Sequence, residues 1–207
     1  MKIPTPILEG PRIRLEPLTR DHLAALEQIA FDDTIWRYML QSVKTRDDLL
    51  RWVQTALQQE SAGKTLPWVT VLKEEDRDWI IGSTRFLDLD LVHGTTELGF
   101  TWLQPAFQGL GLNVEAKLLQ LTFAFESLGL RRVSFKTHHE NLRSQSAIRA
   151  LGATEEGTFR NHYIMPDGSQ RHSVWFSITR AEWPLVRSRL ERRLQRSPGI
   201  AAHQRSV

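Results

Sequence analysis

The segment Gln108-Gly-Leu-Gly111-Leu-Asn113 lies between a strand-like run, Glu97 to Leu103, and a helical run, Val114 to Glu126, and the chemistry it offers is anion binding. Two glycines let consecutive backbone N–H groups turn toward one anion, and the helix that follows adds the positive end of its dipole. A diphosphate suits such a cradle, although an ordinary strand-to-helix turn has the same spacing. Two nucleotide signatures are not met: Asn113 and Val114 stand where a Walker lysine would fall, and no third glycine completes a Rossmann fingerprint. Zero cysteines remove thiolate nucleophiles, thiolate metal sites and disulfides together. His22, His93, His162 and His172 show no ligand spacing with acids, so no metal is expected.

The elements that must position this segment are legible from periodicity. Arg12 to Leu18 alternates Ile13 and Leu15 with polar neighbours between two prolines and reads as a first strand near a sheet edge. A helical pair follows, one helix capped by Thr19 with Leu23, Leu26 and Ile29 on one face. The other begins at a capping box of Thr45 and Asp48, ahead of Leu49, Leu50, Val53 and Leu57. Pro67 to Leu72, Trp79 to Leu89 and Glu97 to Leu103 form an antiparallel meander. After the glycine turn, Leu118, Leu121 and Phe125 line a helix closed by Gly129. A strand through Val133, Phe135 and Thr137 leads to a second helix, Ser144 to Leu151, stopped by Gly152. Asp167-Gly168 marks a hairpin between Thr154 to Met165 and Arg171 to Ile178, and a last helix runs from Glu182 to Leu194.

A chain of 207 residues that is 41% hydrophobic buries a substantial core, so one α/β (α+β) domain is expected over residues 1–196, with 197–207 as a disordered tail. No apolar run reaches the roughly 18 residues of a membrane span, and the Met1-Lys-Ile-Pro-Thr-Pro start lacks an apolar leader, which points to the cytoplasm. The net charge of +3 is concentrated: from residue 187 onward six arginines face Glu191 alone, giving +5 there and −2 in the remainder. A nearly neutral body does not have the footprint of a nucleic-acid binder.

Taken together, Gln108-x-x-Gly111-x-Asn113 after Glu97-Leu-Gly-Phe-Thr-Trp102, then Asn141-Leu-Arg-Ser144 and Leu151-Gly152-Ala153, resembles the GNAT acetyltransferases. The phrases Gly111-Leu-Asn-Val-Glu-Ala-Lys117, Arg160-Asn-His162, Met165-Pro-Asp-Gly168 and Glu182-Trp-Pro184 are similar to its RimJ/RimL-type branch, and the resemblance covers residues from about 8 to 194. It implies a mixed, mostly antiparallel splayed sheet of about seven strands flanked by helices. It further implies acetyl-CoA as co-substrate, held between Glu97 to Leu103 and Arg132 to Thr137 without a metal. By this resemblance the backbone of Gln108, Gly109, Leu110, Gly111, Leu112 and Asn113 holds the pyrophosphate, that of Phe100, Trp102 and Leu103 pairs with the pantetheine arm, and the Asn141 amide bonds the same arm. Asn113 and Asn141 are also each suited to helix capping.

Acetyl transfer to an amine needs a neutral nitrogen, a polarised thioester carbonyl and an acid for the departing thiolate. Where relatives place a tyrosine acid this chain has Ile148, which makes Ser144 the candidate acid, with Ser146 behind it. Glu97 is the first candidate base; His138 and His139 are the others. Trp36, Trp68, Trp102 and His162 are candidates to line the acceptor side, beside the inserted helices and the Asp167-Gly168 hairpin.

The expected acceptor is a protein N-terminal amine. Alternatives are a polyamine or aminoglycoside drawn to Asp32, Asp33, Asp88 and Asp90, or a non-catalytic coenzyme-binding module. No nucleic acid or membrane partner is expected, and Leu190 and Leu194 leave a homodimer through the terminal helix open.

Overall fold

The computed structural model describes residues 3–196, and the expected tail, 197–207, lies outside them. A two-residue strand β1 (Leu8–Glu9) precedes β2 (Ile13–Pro17). Short helices α1 (Leu23–Glu27) and α2 (Asp33–Trp36) then lead to the long α3 (Arg46–Ser61). A meander of β3 (Leu66–Leu72), β4 (Trp79–Asp90) and β5 (Thr95–Leu103) delivers the chain to α4 (Leu112–Thr122). The rest comprises β6 (Arg132–His138), α5 (Leu142–Leu151), β7 (Thr154–Ile164), β8 (Gln170–Thr179) and α6 (Trp183–Gln195).

All strands belong to one eight-stranded sheet in the order β1-β2-β3-β4-β5-β6-β8-β7. The eighth strand, β1, is too short to carry an alternating pattern, which is why periodicity pointed to seven. Every pairing is antiparallel except β5 with β6. That pairing is parallel because α4 crosses over between the two strands. It runs only through Thr95, Thr96 and Glu97, opposite Arg132, Val133 and Ser134, and then the strands part. The remainder of β6 pairs with β8 alone, through His138. The sheet is therefore splayed at its centre, with two unpaired backbone edges facing each other beyond Glu97.

Each face is covered by its own apolar layer. On one side α4, the π turn that follows it and α6 pack Leu112, Leu121, Phe125, Trp183 and Leu190 against Ile13, Leu15, Phe86 and Phe176. On the other, α1 to α3 pack Leu26, Trp36, Leu49, Trp52 and Val53 against Val69, Val71 and Trp102. The i, i+3, i+4, i+7 spacing of Leu49, Trp52, Val53 and Ala56 gives α3 one buried stripe. Its start is the expected capping box, with Thr45 and Asp48 bonding each other's backbone N–H. β3, covered on both faces, is buried at all seven positions.

Three sequence expectations change. The glycine-turn helix begins two residues early, at Leu112, and ends in a wider π turn, Phe123–Ser127. Leu190 is wholly buried in the core, so it is not on the surface of the terminal helix, whereas Leu194 packs against the core and stays partly exposed. Trp68 faces the α4 layer, with its indole N–H on the Pro6 carbonyl at 2.7 Å, and does not join the side lined by Trp36 and Trp102. No helix among the described residues is long and apolar enough to cross a membrane.

Candidate active site

The turn from β5 into α4 is built to leave N–H groups free. Gly109 and Gly111 adopt left-handed φ values of 85° and 81°, where a side chain is strained, and Gly111 is the N-cap residue of α4. Asn113 is thus displaced from the capping role by two residues and sits inside the first turn, its Oδ1 buried and without a hydrogen-bond partner among the described residues. The backbone N–H groups of Gly109, Leu110, Gly111, Leu112, Asn113 and Val114 donate to no acceptor among the described residues. A run of free donors at the positive end of an eleven-residue helix is a site for a multiply charged anion.

The loop is fixed from both sides. Gln108 donates from Nε2 to the Leu103 carbonyl at 2.8 Å and accepts at Oε1 from Arg143 Nη1 at 2.5 Å, which ties the end of β5 to the start of α5. On the other side Arg12 donates from Nη1 to the Leu110 carbonyl at 3.1 Å. Arg12 is itself held by Glu115, whose buried carboxylate accepts from Arg12 N and Nε, both at 2.8 Å, and from Ile13 N at 3.1 Å. Glu115→Ala leaves these donors unsatisfied and should lower unfolding free energy by about 2–3 kcal/mol. Urea denaturation measures this, and an unchanged midpoint would show that the carboxylate is not the anchor.

At the vertex of the splay, Glu97 is 5% exposed and its Oε2 accepts from Lys136 Nζ at 2.7 Å. Burial raises the carboxyl pKa, while Lys136 pulls it back down without cancelling the rise. Burial works against the charge on Lys136 too, but the Glu97 carboxylate outweighs it and the ammonium is favoured. Lys136 Nζ also lies 5.4 Å and 5.2 Å from the centres of the Tyr163 and Trp175 rings. Arg171 extends this basic, aromatic wall, donating to the Tyr38 carbonyl at 3.0 Å and to Ser173 Oγ at 3.1 Å. His138 stacks on His139, with centroids 4.5 Å apart, and its Nδ1 already accepts from the Glu140 N–H at 3.1 Å. Burial, and then the neighbouring His139, lower its pKa. A histidine with one ring nitrogen committed is a poorer base than Glu97.

Ser144 lies in the first turn of α5, just beyond the end of β6. Asn141 caps α5, its Oδ1 accepting from the Ser144 N–H at 3.0 Å. Gln145 donates to the His139 carbonyl at 2.7 Å, so the residues on either side of Ser144 are pinned to the end of β6 and, through Arg143, to the glycine loop. The Ser144 hydroxyl has no hydrogen bond to another described residue and makes none to Glu97. Phe100 lies at the break in the β4–β5 register, between Gly99 and Trp102, with φ 46°. Phe100, Trp102 and Leu103 therefore all lie on the stretch of β5 that has left β6.

The proposed acidic cleft does not form a single cluster. Asp32 caps α2 through the Thr34 N–H at 2.9 Å, Asp33 faces Lys44 at 3.9 Å, and Asp90 accepts from the His93 N–H at 2.8 Å. Asp88 alone acts on Glu97, raising its pKa. Periodicity had not marked Lys136, Arg171 or Arg85: Lys136 alternates with apolar residues as a solvent-facing charge does, and Arg171 and Arg85 follow polar neighbours. Lys117 is buried without a carboxylate, its amine donating to Thr101 Oγ1 at 2.6 Å and Thr84 Oγ1 at 3.2 Å, and burial holds its pKa well below that of an ordinary lysine.

A splayed mixed sheet with a helix-capping glycine loop at its mouth defines an acyltransferase fold of the N-acetyltransferase class. The acetyltransferase (GNAT) domain family matches residues 12–154, and the chain belongs to it. It is 28% identical over 186 residues to the FsC-acetyl coenzyme A-N(2)-transacetylase of Aspergillus fumigatus, covering 86% of this chain and 78% of that one. Among solved structures it superposes with a TM-score of 0.82 on a GCN5-related N-acetyltransferase from Brucella melitensis, 26% identical and covering 94% and 87% of the two chains. Mycobacterium smegmatis RimJ, crystallised with CoA-disulfide, shares the fold with a TM-score of 0.74 at 20% identity, covering 87% and 88%. The protein is thus a GNAT N-acetyltransferase, an enzyme that acetylates amines in a family that uses acetyl-CoA.

Proposed function

We propose that the protein transfers the acetyl group of acetyl-CoA to the N-terminal amine of a protein by direct attack within a ternary complex. The observation that carries the coenzyme site is the run of free N–H groups from Gly109 to Val114, set beside the unpaired edge of β5. These residues suit the coenzyme: the donors match a diphosphate in number and sign, and no atom of the described residues beyond its chain neighbours lies within 4 Å of a Cβ added at Gly109. Bound there, acetyl-CoA supplies an activated thioester carbonyl. The N–H groups of the loop hold its diphosphate, and the backbone from Phe100 to Leu103 pairs with its amides. Glu97 accepts the proton of the attacking amine, and Ser144 Oγ–H donates to the sulfur as negative charge collects there. The fold shared with RimL, a ribosomal L7/L12 α-N-protein acetyltransferase, at a TM-score of 0.75 favours a protein N-terminus. A small-molecule amine is the second reading, favoured by the Aspergillus fumigatus relative, whose name specifies an N(2) transfer.

Thiol release from acetyl-CoA across a panel of N-terminal peptides, polyamines and aminoglycosides tests the proposal. Turnover on peptides alone is expected, with Ser144→Ala slowing kcat about tenfold and leaving coenzyme affinity unchanged. Coenzyme binding with no amine turned over would replace this reading with that of a binding module.

A further inference from the structure

Arg85, on β4, is a strongly basic group near the site that nothing in the mechanism uses and that, unlike Arg171, makes no hydrogen bond to another described residue. It is 1% exposed, and its Nε and Nη2 are buried without a hydrogen-bond partner. The guanidinium carbon lies 4.0 Å from the centre of the Trp52 ring and 4.9 Å from that of Phe100. No carboxylate among the described residues answers it. Burial lowers its pKa to about 9, which leaves it charged at neutral pH.

Its surroundings repeat the same deficit. Trp52 and Trp102 pack together with ring centroids 6.2 Å apart, and the indole N–H of each is also buried and unpartnered. Buried polar groups are nearly always paired. Here neighbouring side chains present orphan donors, all of one kind, around a positive charge. The group that completes such a cluster is rich in acceptors and negatively charged.

Register places this cluster on the reacting side of the sheet. Arg85 pairs with Gly99, and the next pair along the same face is Leu87 with Glu97. Gly99 lies between Arg85 and Glu97 on this face, and because a Cβ there would meet Glu97 Oε1 and Leu87 Cδ1, each at 3.1 Å, the glycine is what lets the Glu97 carboxylate lie back over the strand toward Arg85. Diagonal neighbours of this kind lie about 7–8 Å apart. A short amino acid, or an acidic residue at a peptide N-terminus, carries its amine and carboxylate a few ångströms apart, so a hydrogen bond at each end lets it bridge side chains from residues at this backbone separation.

We propose that the acceptor amine carries a carboxylate, and that Arg85, seated between Trp52 and Phe100, binds it. The proposal rests on the acetyl-transfer reading and names its substrate class. Arginine suits the task because its planar fork donates to both carboxylate oxygens.

Matched acceptors provide the test: glycine against glycinamide, β-alanine against β-alaninamide, and tetrapeptides beginning with aspartate against those beginning with asparagine. Each is assayed with acetyl-CoA and thiol detection in the wild type, Arg85→Met and Arg85→Lys. The expected result is a carboxylate acceptor favoured over its partner by about 30-fold or more in kcat/KM. Arg85→Met should erase that ratio by slowing the carboxylate member alone, and Arg85→Lys should restore part of it. A response to the free acids assigns a small amino acid, and a response to the peptides assigns an acidic N-terminal residue. Equal rates within every pair in the wild type, or a preference that survives in Arg85→Met, overturn the proposal.

Should no amine turn over, calorimetric titration of the coenzyme A-loaded protein with the same acids and amides decides: carboxylate-selective binding lost in Arg85→Met supports the assignment, and its absence overturns it. Failure to bind coenzyme A would remove the acetyl-transfer reading, and titrating the free protein then judges Arg85 by itself. Circular dichroism and thermal melting establish that Arg85→Met is folded; if it is not, Arg85→Lys and Arg85→Gln carry the comparison.

Discussion

Replacing Gly111 with tryptophan raises the dissociation constant for coenzyme A by about 10³-fold, because the indole fills the space at the head of α4 and ends access to two or three charge-assisted hydrogen bonds of about 1.5–3 kcal/mol each. Gly111→Trp also places a side chain at φ 81°, which costs roughly 1–2 kcal/mol. A domain stable by roughly 5–15 kcal/mol tolerates that. Gly111→Ala separates the two effects, since it carries the backbone strain with little of the bulk and should retain most of the affinity. Calorimetric titration measures both variants. Wild-type affinity in Gly111→Trp would show that the free N–H groups of this loop do not hold the coenzyme.

Glu97→Gln lowers kcat by about 10²–10⁴-fold and leaves coenzyme affinity unchanged, if the carboxylate takes the amine's proton. The substitution has a structural side effect, because the Lys136 side chain is only 15% exposed and loses its partner. The double variant Glu97→Gln with Lys136→Met removes the stranded charge, so it should recover stability and not activity. Lys136→Met alone keeps the base and deletes the positive charge that draws its pKa down. Activity requires the ionised carboxylate and falls as pH drops through its pKa, so the acidic limb of kcat/KM should move to higher pH. A Glu97→Gln enzyme within threefold of wild type would mean that the amine arrives already deprotonated, or that another group serves.

How much of this was legible beforehand depended on whether the signal was local. The glycine loop was, since Gly-x-Gly before an apolar helix constrains its own backbone, and Gly109 and Gly111 do take positive φ. The capping box of Thr45 and Asp48, the Asp167-Gly168 turn and the Gly152 stop were local in the same way and are where periodicity placed them. What escaped depends on residues far apart in the chain. Glu97 and Lys136 meet across 39 positions, Arg12 and Glu115 across 103, and neither pair leaves a spacing to find. Asn113 was misjudged because two glycines upstream allow the cap to fall at Gly111, where a side-chain amide is not needed. Nothing in the local pattern shows that Arg85 is buried under Trp52 of α3, or that Lys136 is largely covered by Tyr163 and Trp175.

The parting of β5 from β6 after Glu97 has a consequence for solubility. Unpaired strand edges are templates for aggregation when they lie at the rim of a sheet, since any extended chain can add to them. These edges lie at the centre, joined through Thr95, Thr96 and Glu97 and diverging from there. A visiting strand would have to satisfy two diverging registers at once, and only a short segment with few amides can enter the wedge. The geometry that opens the sheet to a small ligand thereby shields it from other polypeptides, and needs none of the prolines or lysines that guard an outer edge.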